Sequence, residues 1–388
     1  MADDRSAYII LNMIQGIGPV TMRALAAGLG SLGGVFKATR DDLMRVRGIG
    51  TELAERIVRQ REELSADAEI ERASALGIRL ITRADEGYPK RLLDLSDAPV
   101  VLYVMGEFKE GDEHNVAIVG TRRASTYGRE CAERLAYQLA QAGFVVTSGL
   151  ARGIDTAAHT GALKAGGRTL AVIGSGLNCI YPEENLDLAR RIAQHGAVLS
   201  EFPLGRPPDK TSFPIRNRIV SGLSMGVVVV EADRKSGAMI TASQAAEQGR
   251  VVFAVPGRID SPGSRGPHGL IRDGARLVEG VEDILQEFEN LLPSGMTGGG
   301  YLKARQAKTD GDDGESAQLA LLTGLRFSSE ETRLTDLLKD GAVDMDSLVR
   351  ESGFEPRRVS SLLVELEMKK IVHVLPGRMI ELRRMREQ

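Results

Sequence analysis

Short runs of apolar residues alternate with helical stretches through the middle of the chain, and this alternation constrains the fold most. The runs are apolar at successive positions and lie at residues 115–119, 144–147, 169–173, 197–200, 226–231 and 251–255. A strand with apolar residues on both faces must be covered on both faces, which is typical of a parallel sheet between layers of helices. The sequence therefore predicts an α/β fold with a Rossmann-like, doubly wound and mostly parallel sheet.

The N-terminal part of the chain has a different, helical pattern. Q-G-I-G-P at 15–19 and R-G-I-G-T at 47–51 each lie between helical stretches. Glycine permits the tight turn, and the amides that begin the second helix of each pair are open to a phosphate. This predicts a helix-hairpin-helix or SAM-like domain, whose hairpins either bind DNA or only pack two helices together.

The C-terminal part has the outline of a winged helix. Helical patterns at about 331–339, 345–351 and 355–369 precede two short apolar runs around Pro376 and Gly377. The third helix repeats apolar residues at helical spacing, namely Val359, Leu362, Leu363 and Leu366. Arg357 and Arg358 begin that helix, but Glu365 and Glu367 oppose a phosphate surface. The pattern favours a protein-docking or accessory role over reading of the major groove.

These patterns divide the chain into four segments. The glycines and acidic residues that precede the last domain are typical of a flexible linker. We predict a helix-hairpin-helix or SAM-like domain at 1–68, a Rossmann-like domain at 69–290, the linker at 291–318 and a winged-helix-like domain at 319–388.

Composition argues against several classes of protein. The chain has 388 residues, which is more than one hydrophobic core usually organises. Its two cysteines and five histidines are not spaced as a disulfide framework or a metal site. No apolar run approaches the roughly 20 residues of a membrane helix, and the first residues lack the pattern of a signal peptide. We expect a cytoplasmic protein with no metal and no membrane insertion.

Glycine and arginine recur just after the predicted strands. G-T-R-R-A-S-T-Y-G-R follows the first strand, S-G-L-A-R-G-I-D the second, G-S-G-L-N the third and R-K-S-G-A-M-I-T-A the fifth. Ligands of open α/β sheets bind outside the carboxyl ends of the strands, so these turns should lie together. Helix-starting amides and guanidinium groups suit phosphates. Because the net charge is only −3, such a cationic site must be local.

The segment after the fourth strand is the richest of these turns. It contains F-P-I-R-N-R at 213–218, with prolines at Pro203, Pro207, Pro208 and Pro214. The prolines predict that this segment is extended and lies over the strand ends. In that conformation Phe213 stacks on a base while Arg216 and Arg218 contact phosphates. Lys210 is a further cation in the same segment.

Several of these residues also have an architectural interpretation. Arg218 can pair with Glu201 or Glu231, Asn217 can cap a helix, and Phe213 can fill the core. The convergence of several arginine-bearing turns nevertheless favours one extended polyanion site over unrelated structural turns. A nucleic-acid strand fits such a site better than a single nucleotide does.

An enzyme is the alternative interpretation. Nucleoside-monophosphate phosphoribohydrolases are also Rossmann-like proteins with glycine-rich loops, and Glu231, Asp155 or Glu201 could serve as an acid or nucleophile. The chain lacks their P-G-G-x-G-T-x-x-E arrangement. Cys179 stands where a dinucleotide-binding motif has its third glycine, and there is no Walker motif, so we expect no nucleotide cofactor. A scaffold with a vestigial DNA site is a third possibility.

With these residues identified, the chain resembles the DNA-processing protein A family, DprA or Smf. The motifs that carry the resemblance occur in one order along the chain, namely A-I-V-G-T-R, S-G-L-A-R-G-I-D-T-A-A-H-x-G-A-L, Y-P-E-E-N, L-S-E-F-P, F-P-I-R-N-R-I-V-S-G-L, S-G-A-M-I-T-A and V-P-G. The resemblance implies a non-enzymatic homodimer without a cofactor that binds single-stranded DNA. It also implies that the protein protects incoming strands in natural transformation and delivers them to the RecA recombinase.

The resemblance also implies DNA-binding residues by motif position. Arg122 matches the phosphate-contacting arginine of G-T-R, Arg216 and Arg218 match the basic group of F-P-x-R-N-R, and Lys164 follows H-T-G-A-L. Together with the glycine-rich turns, the predicted DNA-binding residues are Gly120, Thr121, Arg122, Ser148, Gly149, Arg152, Lys164, Gly174, Gly176, Phe213, Arg216, Asn217, Arg218, Ser236 and Gly237. No catalytic or metal-binding residue is predicted.

Overall fold

The structure is a computed structural model that describes residues 4–289, 329–338, 343–368, 371–375 and 379–382. The chain divides into two units, Met1–Gly298 and Gly299–Gln388. Within the described ranges, no helix combines the length and the apolar character needed to cross a membrane. The predicted linker at 291–318 lies outside the described residues, and the bounds of the four segments remain predictions.

A nine-stranded sheet forms the centre of the first unit. Its strands in chain order are β1 (Ile78–Thr82), β2 (Val101–Gly106), β3 (Asn115–Val119), β4 (Val145–Ser148), β5 (Thr169–Val172), β6 (Ala197–Ser200), β7 (Gly226–Val229), β8 (Val251–Ala254) and β9 (Arg276–Leu277). Their order across the sheet is β1-β2-β6-β5-β4-β3-β7-β8-β9. The pairs β1–β2 and β2–β6 are antiparallel, whereas all neighbours from β6 to β9 are parallel. The predicted mostly parallel α/β fold is confirmed.

Thirteen helices belong to this unit as described. They are α1 (Asp4–Met13), α2 (Pro19–Leu29), α3 (Arg40–Met44), α4 (Thr51–Glu63), α5 (Ala66–Ala75), α6 (Lys90–Leu93), α7 (Thr126–Gln141), α8 (Ile154–Lys164), α9 (Leu186–His195), α10 (Ser212–Leu223), α11 (Gly237–Glu247), α12 (Arg265–Arg272) and α13 (Val281–Phe288). Short 3-10 turns occur at Leu32–Phe36, Glu110–Glu113, Glu183–Asn185 and Pro262–Ser264.

The central strands are buried along their whole length, as their apolar composition predicts. Every residue of β3, β4, β5, β6 and β7 is buried. By contrast, β1 alternates between buried positions and the exposed Arg79, as an edge strand with one covered face does. The predicted strands did not include β1, in which Arg79 interrupts the apolar residues, the two-residue β9, or β2, although β2 is a continuous apolar run.

The N-terminal helices form the predicted pair of hairpins. Gly16 has a φ of +96° and Gly48 a φ of +89°, a left-handed backbone that favours glycine at each turn. Their apolar faces share one core with the sheet, in which Ile9 and Leu25 lie with Val101. The helix-hairpin-helix fold is therefore confirmed, and its core continues into the Rossmann-like part.

The chain reverses its direction of travel across the sheet at β3. From β3 it proceeds outward through β4 and β5 to β6, and it then returns to place β7, β8 and β9 on the other side of β3. The loops that follow β3 and β7 therefore run in opposite directions, and a crevice lies between them at the carboxyl ends of these two strands. This switch point is where open α/β sheets bind their ligands.

The second unit has three helices and a small sheet in its described part. Its elements are α14 (Ser329–Leu337), α15 (Met345–Ser352), α16 (Pro356–Met368), β10 (Val343–Asp344), β11 (Val372–Leu375) and β12 (Met379–Leu382). The strands are antiparallel in the order β10-β12-β11. The predicted apolar residues of α16 are buried, which confirms the winged-helix outline. Arg358, at the start of α16, is paired with a carboxylate, because its Nε lies 3.0 Å from Oε2 of Glu330. The turn at Pro376 and Gly377 lies outside the described residues.

Candidate functional site

A cavity of about 570 Å³ lies at the switch point of the sheet, and we call it the switch-point cavity. Its walls come from the turns after β3 and β4, from α10 and from the start of α11. The predicted site residues that line it are Gly120, Thr121, Arg122, Gly149, Phe213, Arg216, Asn217, Ser236 and Gly237. Residues separated by more than 100 positions in the sequence thus meet at one edge of the sheet.

The segment that carries Phe213 and Arg216 is helical, so the prediction that its prolines hold it extended is wrong. Helix α10 begins at Ser212, and Pro214 lies in its first turn, where the backbone amide has no intrahelical partner to lose. Asp209 accepts hydrogen bonds from the amides of Thr211 (2.7 Å) and Ser212 (2.9 Å) and so satisfies the start of the helix. Hydrogen bonding by Thr211, together with Arg206, lowers the pKa of Asp209.

The helical conformation also corrects the prediction for Arg218. Positions two apart share a face in an extended strand, but they are separated by roughly 200° around a helix. Arg218 accordingly points away from the cavity. Its Nη2 lies 2.5 Å from Oε2 of Glu201, and its Nε lies 3.1 Å from Oδ2 of Asp97. Arg218 is 5% exposed, so its guanidinium is part of the core and not a phosphate contact.

Arg216 forms the buried floor of the switch-point cavity. It is 5% exposed, and its Nη1 donates to the carbonyl oxygen of Gly149 at 2.5 Å and to that of Val172. A Cβ at position 149 would lie 2.3 Å from Nη1, so glycine is required for this close approach. The Nε of Arg216 has no hydrogen-bond partner in the part of the chain that the structure describes.

The electrostatics of the floor favour an anion. Burial lowers the pKa of Arg216 to about 10, with Asp155 opposing this shift and Arg122 adding to it. The guanidinium therefore stays charged at neutral pH. Burial raises the pKa of Asp155, which also lines the cavity, although the charge of Arg216 opposes that rise. A phosphate would face two arginines and would relieve their mutual repulsion.

Arg122 and Phe213 form the exposed wall of the cavity. The Arg122 Cζ lies 4.8 Å from the centroid of the Phe213 ring, and no carboxylate in the described ranges pairs with this arginine. Gly174 is buried beneath the ring, since a Cβ there would lie 3.1 Å from Cδ1 of Phe213. Gly174 thus supports the ring, which corrects its prediction as a direct contact.

The start of α11 completes the cavity. Asn217 links α10 to this helix through a hydrogen bond from its Nδ2 to the carbonyl oxygen of Gly237, at 3.2 Å. Ser236 precedes the helix, and its buried Oγ finds no partner among the described residues. An unpartnered hydroxyl beside a helix N-terminus suits a phosphate oxygen.

Besides Arg218 and Gly174, four more of the predicted residues lie outside the lining of the cavity. Ser148 is fully buried and donates to the carbonyl oxygen of Ile118 at 2.6 Å. Gly176 is buried as well, and a Cβ on it would lie 2.6 Å from the carbonyl oxygen of Pro203. Neither offers a surface to a ligand, so both predictions of direct contact are corrected to packing roles.

The other two, Arg152 and Lys164, are exposed but already paired. The Nε and Nη2 of Arg152 each lie 2.7 Å from one carboxylate oxygen of Glu184. Lys164 forms an ion pair with Glu133. A phosphate at either cation has to compete with a carboxylate that the sequence did not reveal.

Two cationic or aromatic residues near the cavity were not predicted as site residues. Lys210, which the sequence analysis considered, lines the cavity. Tyr181 is 39% exposed, and its ring centroid lies 6.2 Å from that of Phe213. The motif Y-P-E-E-N contributed to the family resemblance, but it did not identify Tyr181 as a site residue. A single tyrosine in a loop has no periodicity from which exposure of its side chain can be predicted.

The carboxylates of the enzyme alternative have internal partners. Glu231 accepts from the amide of Ser125 at 2.9 Å and from its hydroxyl, and Glu201 pairs with Arg218. Asp155 alone of these three lines the switch-point cavity. Among the described residues, no group of three or more His, Cys, Asp or Glu side chains is arranged to hold a metal ion.

Comparisons with known proteins match this architecture. Protein Smf of Synechocystis is 32% identical to this chain, over 97% of this chain and 98% of the relative. The X-ray structure of DNA processing protein A from Streptococcus pneumoniae superposes with a TM-score of 0.64 at 35% identity, covering 73% of this chain and 98% of that protein. DNA processing protein A of Helicobacter pylori, whose structure is described as giving insight into its single-stranded DNA binding mode, has a TM-score of 0.50 at 34% identity and covers 54% of this chain and 95% of its own.

Family profiles match all three parts of the sequence. A SAM-like helix-hairpin-helix tandem matches residues 8–63, and a DprA winged helix domain matches residues 313–378. The profile of the DNA recombination-mediator protein A family matches residues 79–289, which include the sheet and the switch-point cavity. With the full-length similarity to Smf, these matches show that the chain belongs to the DNA recombination-mediator protein A family.

Proposed function

We propose that this chain binds single-stranded DNA in the switch-point cavity, without catalysis and without a nucleotide cofactor. The observation that carries the proposal is the placement of Arg122 4.8 Å above the Phe213 ring, with Arg216 in the same cavity. The two guanidinium groups suit phosphates, and the ring suits the face of a base. Bases of a duplex are stacked and paired, so only an unpaired base reaches such a ring.

Two further observations support a nucleic-acid strand as the ligand. The net charge is −3, so the arginines at this edge are a local concentration of cations and do not reflect a generally basic protein. A second cavity of about 460 Å³ shares Arg122 and Arg123 with the first and adds Arg129. A polyanion longer than one nucleotide can extend from the first cavity to the second through the arginines that line both, although Glu130 and Glu133 also line the second.

We extend the proposal to the biological role that the family suggests. The bound strand would be protected during natural transformation and passed to a RecA-type recombinase, with the protein acting as a homodimer. Similarity to DNA processing protein A over most of the chain supports this role. A strand-exchange assay tests delivery to the recombinase separately from DNA binding. It compares a purified RecA-type recombinase on single-stranded DNA coated with a single-strand-binding protein, with and without this protein, and we expect faster exchange when this protein is present.

Fluorescence anisotropy with labelled single- and double-stranded oligonucleotides tests the DNA site. We expect preferential single-strand binding that weakens steeply with salt, since counterion release contributes to the affinity. Arg122→Ala should weaken binding and flatten the salt dependence by about 0.7 in log–log slope, the value for one phosphate contact on a single strand. Arg190→Ala is the matched control, because this exposed arginine pairs with Asp187 outside the cavity. Equal binding by both variants would contradict the site.

A nucleoside-monophosphate hydrolysis assay tests the enzyme alternative. That alternative requires a carboxylate near a ribose, and Asp155 is the candidate that lines the cavity. We expect no release of base from any nucleoside monophosphate. Release that Asp155→Asn abolishes would establish the enzyme and overturn the binding-only proposal.

A further inference from the structure

The half-buried Phe213 ring, the exposed Tyr181 ring and two guanidinium groups form a row beside the switch-point cavity. Arg122 lies 4.8 Å from the Phe213 ring, and that ring lies 6.2 Å from the Tyr181 ring. The Cζ of Arg152 lies 6.0 Å from the centroid of the Tyr181 ring. Each ring thus has its own guanidinium, and we call these four residues the arginine–aromatic row.

The position of Tyr181 has no explanation in core packing alone. Its side chain is 39% exposed, whereas Tyr103 is fully buried and Tyr88 is 4% exposed. The interplanar angle between Tyr181 and Phe213 is 43°, so the two rings are tilted and are not stacked on each other.

We propose that Tyr181 is a second base-stacking platform, so that two bases of one DNA strand rest on Phe213 and Tyr181. This inference rests on the proposed function. The spacing of the rings, 6.2 Å, is larger than the roughly 3.4 Å rise of stacked bases along one strand, so a strand held by both rings is stretched between them. The row therefore selects flexible single strands over a stacked helix.

The two arginines of the row differ in whether a carboxylate pairs with them. Arg122 lacks a carboxylate partner in the described ranges, but Arg152 is held by both oxygens of Glu184 at 2.7 Å. The hydrogen bond from Arg152 lowers the pKa of Glu184, so the carboxylate stays ionised at neutral pH. A phosphate beside Tyr181 must take Arg152 from Glu184. We infer that Glu184 limits the affinity of the second platform.

A tryptophan reporter tests whether a base reaches position 181. The chain contains no tryptophan, so Tyr181→Trp places a single reporter in the row. We expect an oligothymidylate to quench its fluorescence, since the indole stacks on a base. Tyr137→Trp is the matched control, because Tyr137 is 37% exposed and lies on α7 outside the row. Its fluorescence should not change.

Affinity measurements complete the test. Tyr181→Ala should weaken oligothymidylate binding between about 5-fold and 150-fold, which corresponds to loss of one base–aromatic stack, while Tyr181→Phe should retain it. The loss should be absent for an abasic oligonucleotide. Glu184→Gln should bind more tightly than the parent and more tightly than Asp187→Asn, which removes an exposed charge that pairs with Arg190.

The outcomes separate this inference from the proposed function. If oligothymidylate binds, Arg122→Ala weakens it and the fluorescence of Tyr181→Trp stays constant at saturation, the second platform is wrong and the DNA site stands. Equal affinities of Tyr181→Ala and the parent would also overturn the platform. If the parent binds no single strand at all, both proposals fail.

Discussion

Arg216 and Arg218 lie on opposite sides of α10, although one residue separates them in the sequence. Arg216 donates to the carbonyl oxygen of Gly149 at the floor of the switch-point cavity, and Arg218 lies 2.5 Å from Glu201 in the core. The family motif F-P-x-R-N-R therefore contains one arginine for the cavity and one for the fold. Binding and stability should be separable at these two positions.

Arg218→Met should destabilise the fold without changing the DNA site. Glu201 is 8% exposed, so loss of its partner leaves a buried carboxylate uncompensated, at a cost of about 3–5 kcal/mol in the free energy of unfolding. Urea unfolding measures this change, and anisotropy on the folded protein should give the parent affinity. Adding Glu201→Leu should restore much of the stability. A loss of affinity without a loss of stability would place Arg218 in the DNA site.

Gly149→Ala should weaken DNA binding because it displaces Arg216. A Cβ at this position would lie 2.3 Å from Nη1 of the guanidinium. We expect a loss of at least about 10-fold, equivalent to one charge-assisted hydrogen bond. Gly269→Ala is the control, since Gly269 lies on α12 outside the lining of the cavity and nothing lies within 4 Å of its added Cβ. Similar affinities for the two variants, measured by anisotropy, would contradict the role of Arg216.

The sequence predicted the mostly parallel sheet and the meeting of its turns at the strand ends because both follow from local patterns, whereas it did not predict the strand order that creates the switch point. Continuous apolar runs marked β3 to β8, and the turn residues after them identified Arg122, Gly149 and Ser236. The direction of each side chain was not predictable in the same way. The prolines predicted an extended segment at 203–214, but Pro214 lies in the first turn of α10. Because the segment is helical from Ser212, the Arg218 side chain lies in the core and not in the predicted site.

Ion pairs and ring contacts across the cavity were also beyond the sequence. Glu184 lies 32 positions from Arg152 and engages it, and no local pattern indicates that pairing. Tyr181 and Phe213 meet because two loops converge at one sheet edge. Their contact depends on loop conformations that neither periodicity nor motif spacing determines.

Phe213→Ala should weaken binding only when the DNA carries bases. The ring is half-buried, with Gly174 against one edge and the Arg122 guanidinium over it, and in the proposed site its accessible part contacts one base. We expect a loss between about 5-fold and 150-fold with oligothymidylate and little change with an abasic strand of equal length. Phe213→Tyr, which keeps the aromatic face, should bind like the parent. An equal loss on the abasic strand would mean that Phe213 only shapes the cavity.

His159 should make the fold sensitive to acid. It is fully buried beneath the site, and its Nδ1 lies 2.7 Å from Oγ1 of Thr169, whose hydroxyl donates to the carbonyl oxygen of Val146. Nδ1 therefore carries the proton of a neutral ring. Burial, with a contribution from the charge of Arg216, lowers the pKa of His159 from 6.5 to about 3.

The unfolded chain binds this proton near pH 6.5 and the folded chain only near pH 3, so the contribution of His159 to the free energy of unfolding falls as the pH drops between these values. The contribution of one such group reaches about 1.4 kcal/mol per pH unit. Urea unfolding at pH 7, 6, 5 and 4, compared between the parent and His159→Gln, isolates it, because all carboxylates are common to both proteins. As the pH falls from 7 to 4, the free energy of unfolding of the parent should decrease relative to that of His159→Gln. Parallel curves would show that His159 is protonated in the folded protein as readily as in the unfolded chain.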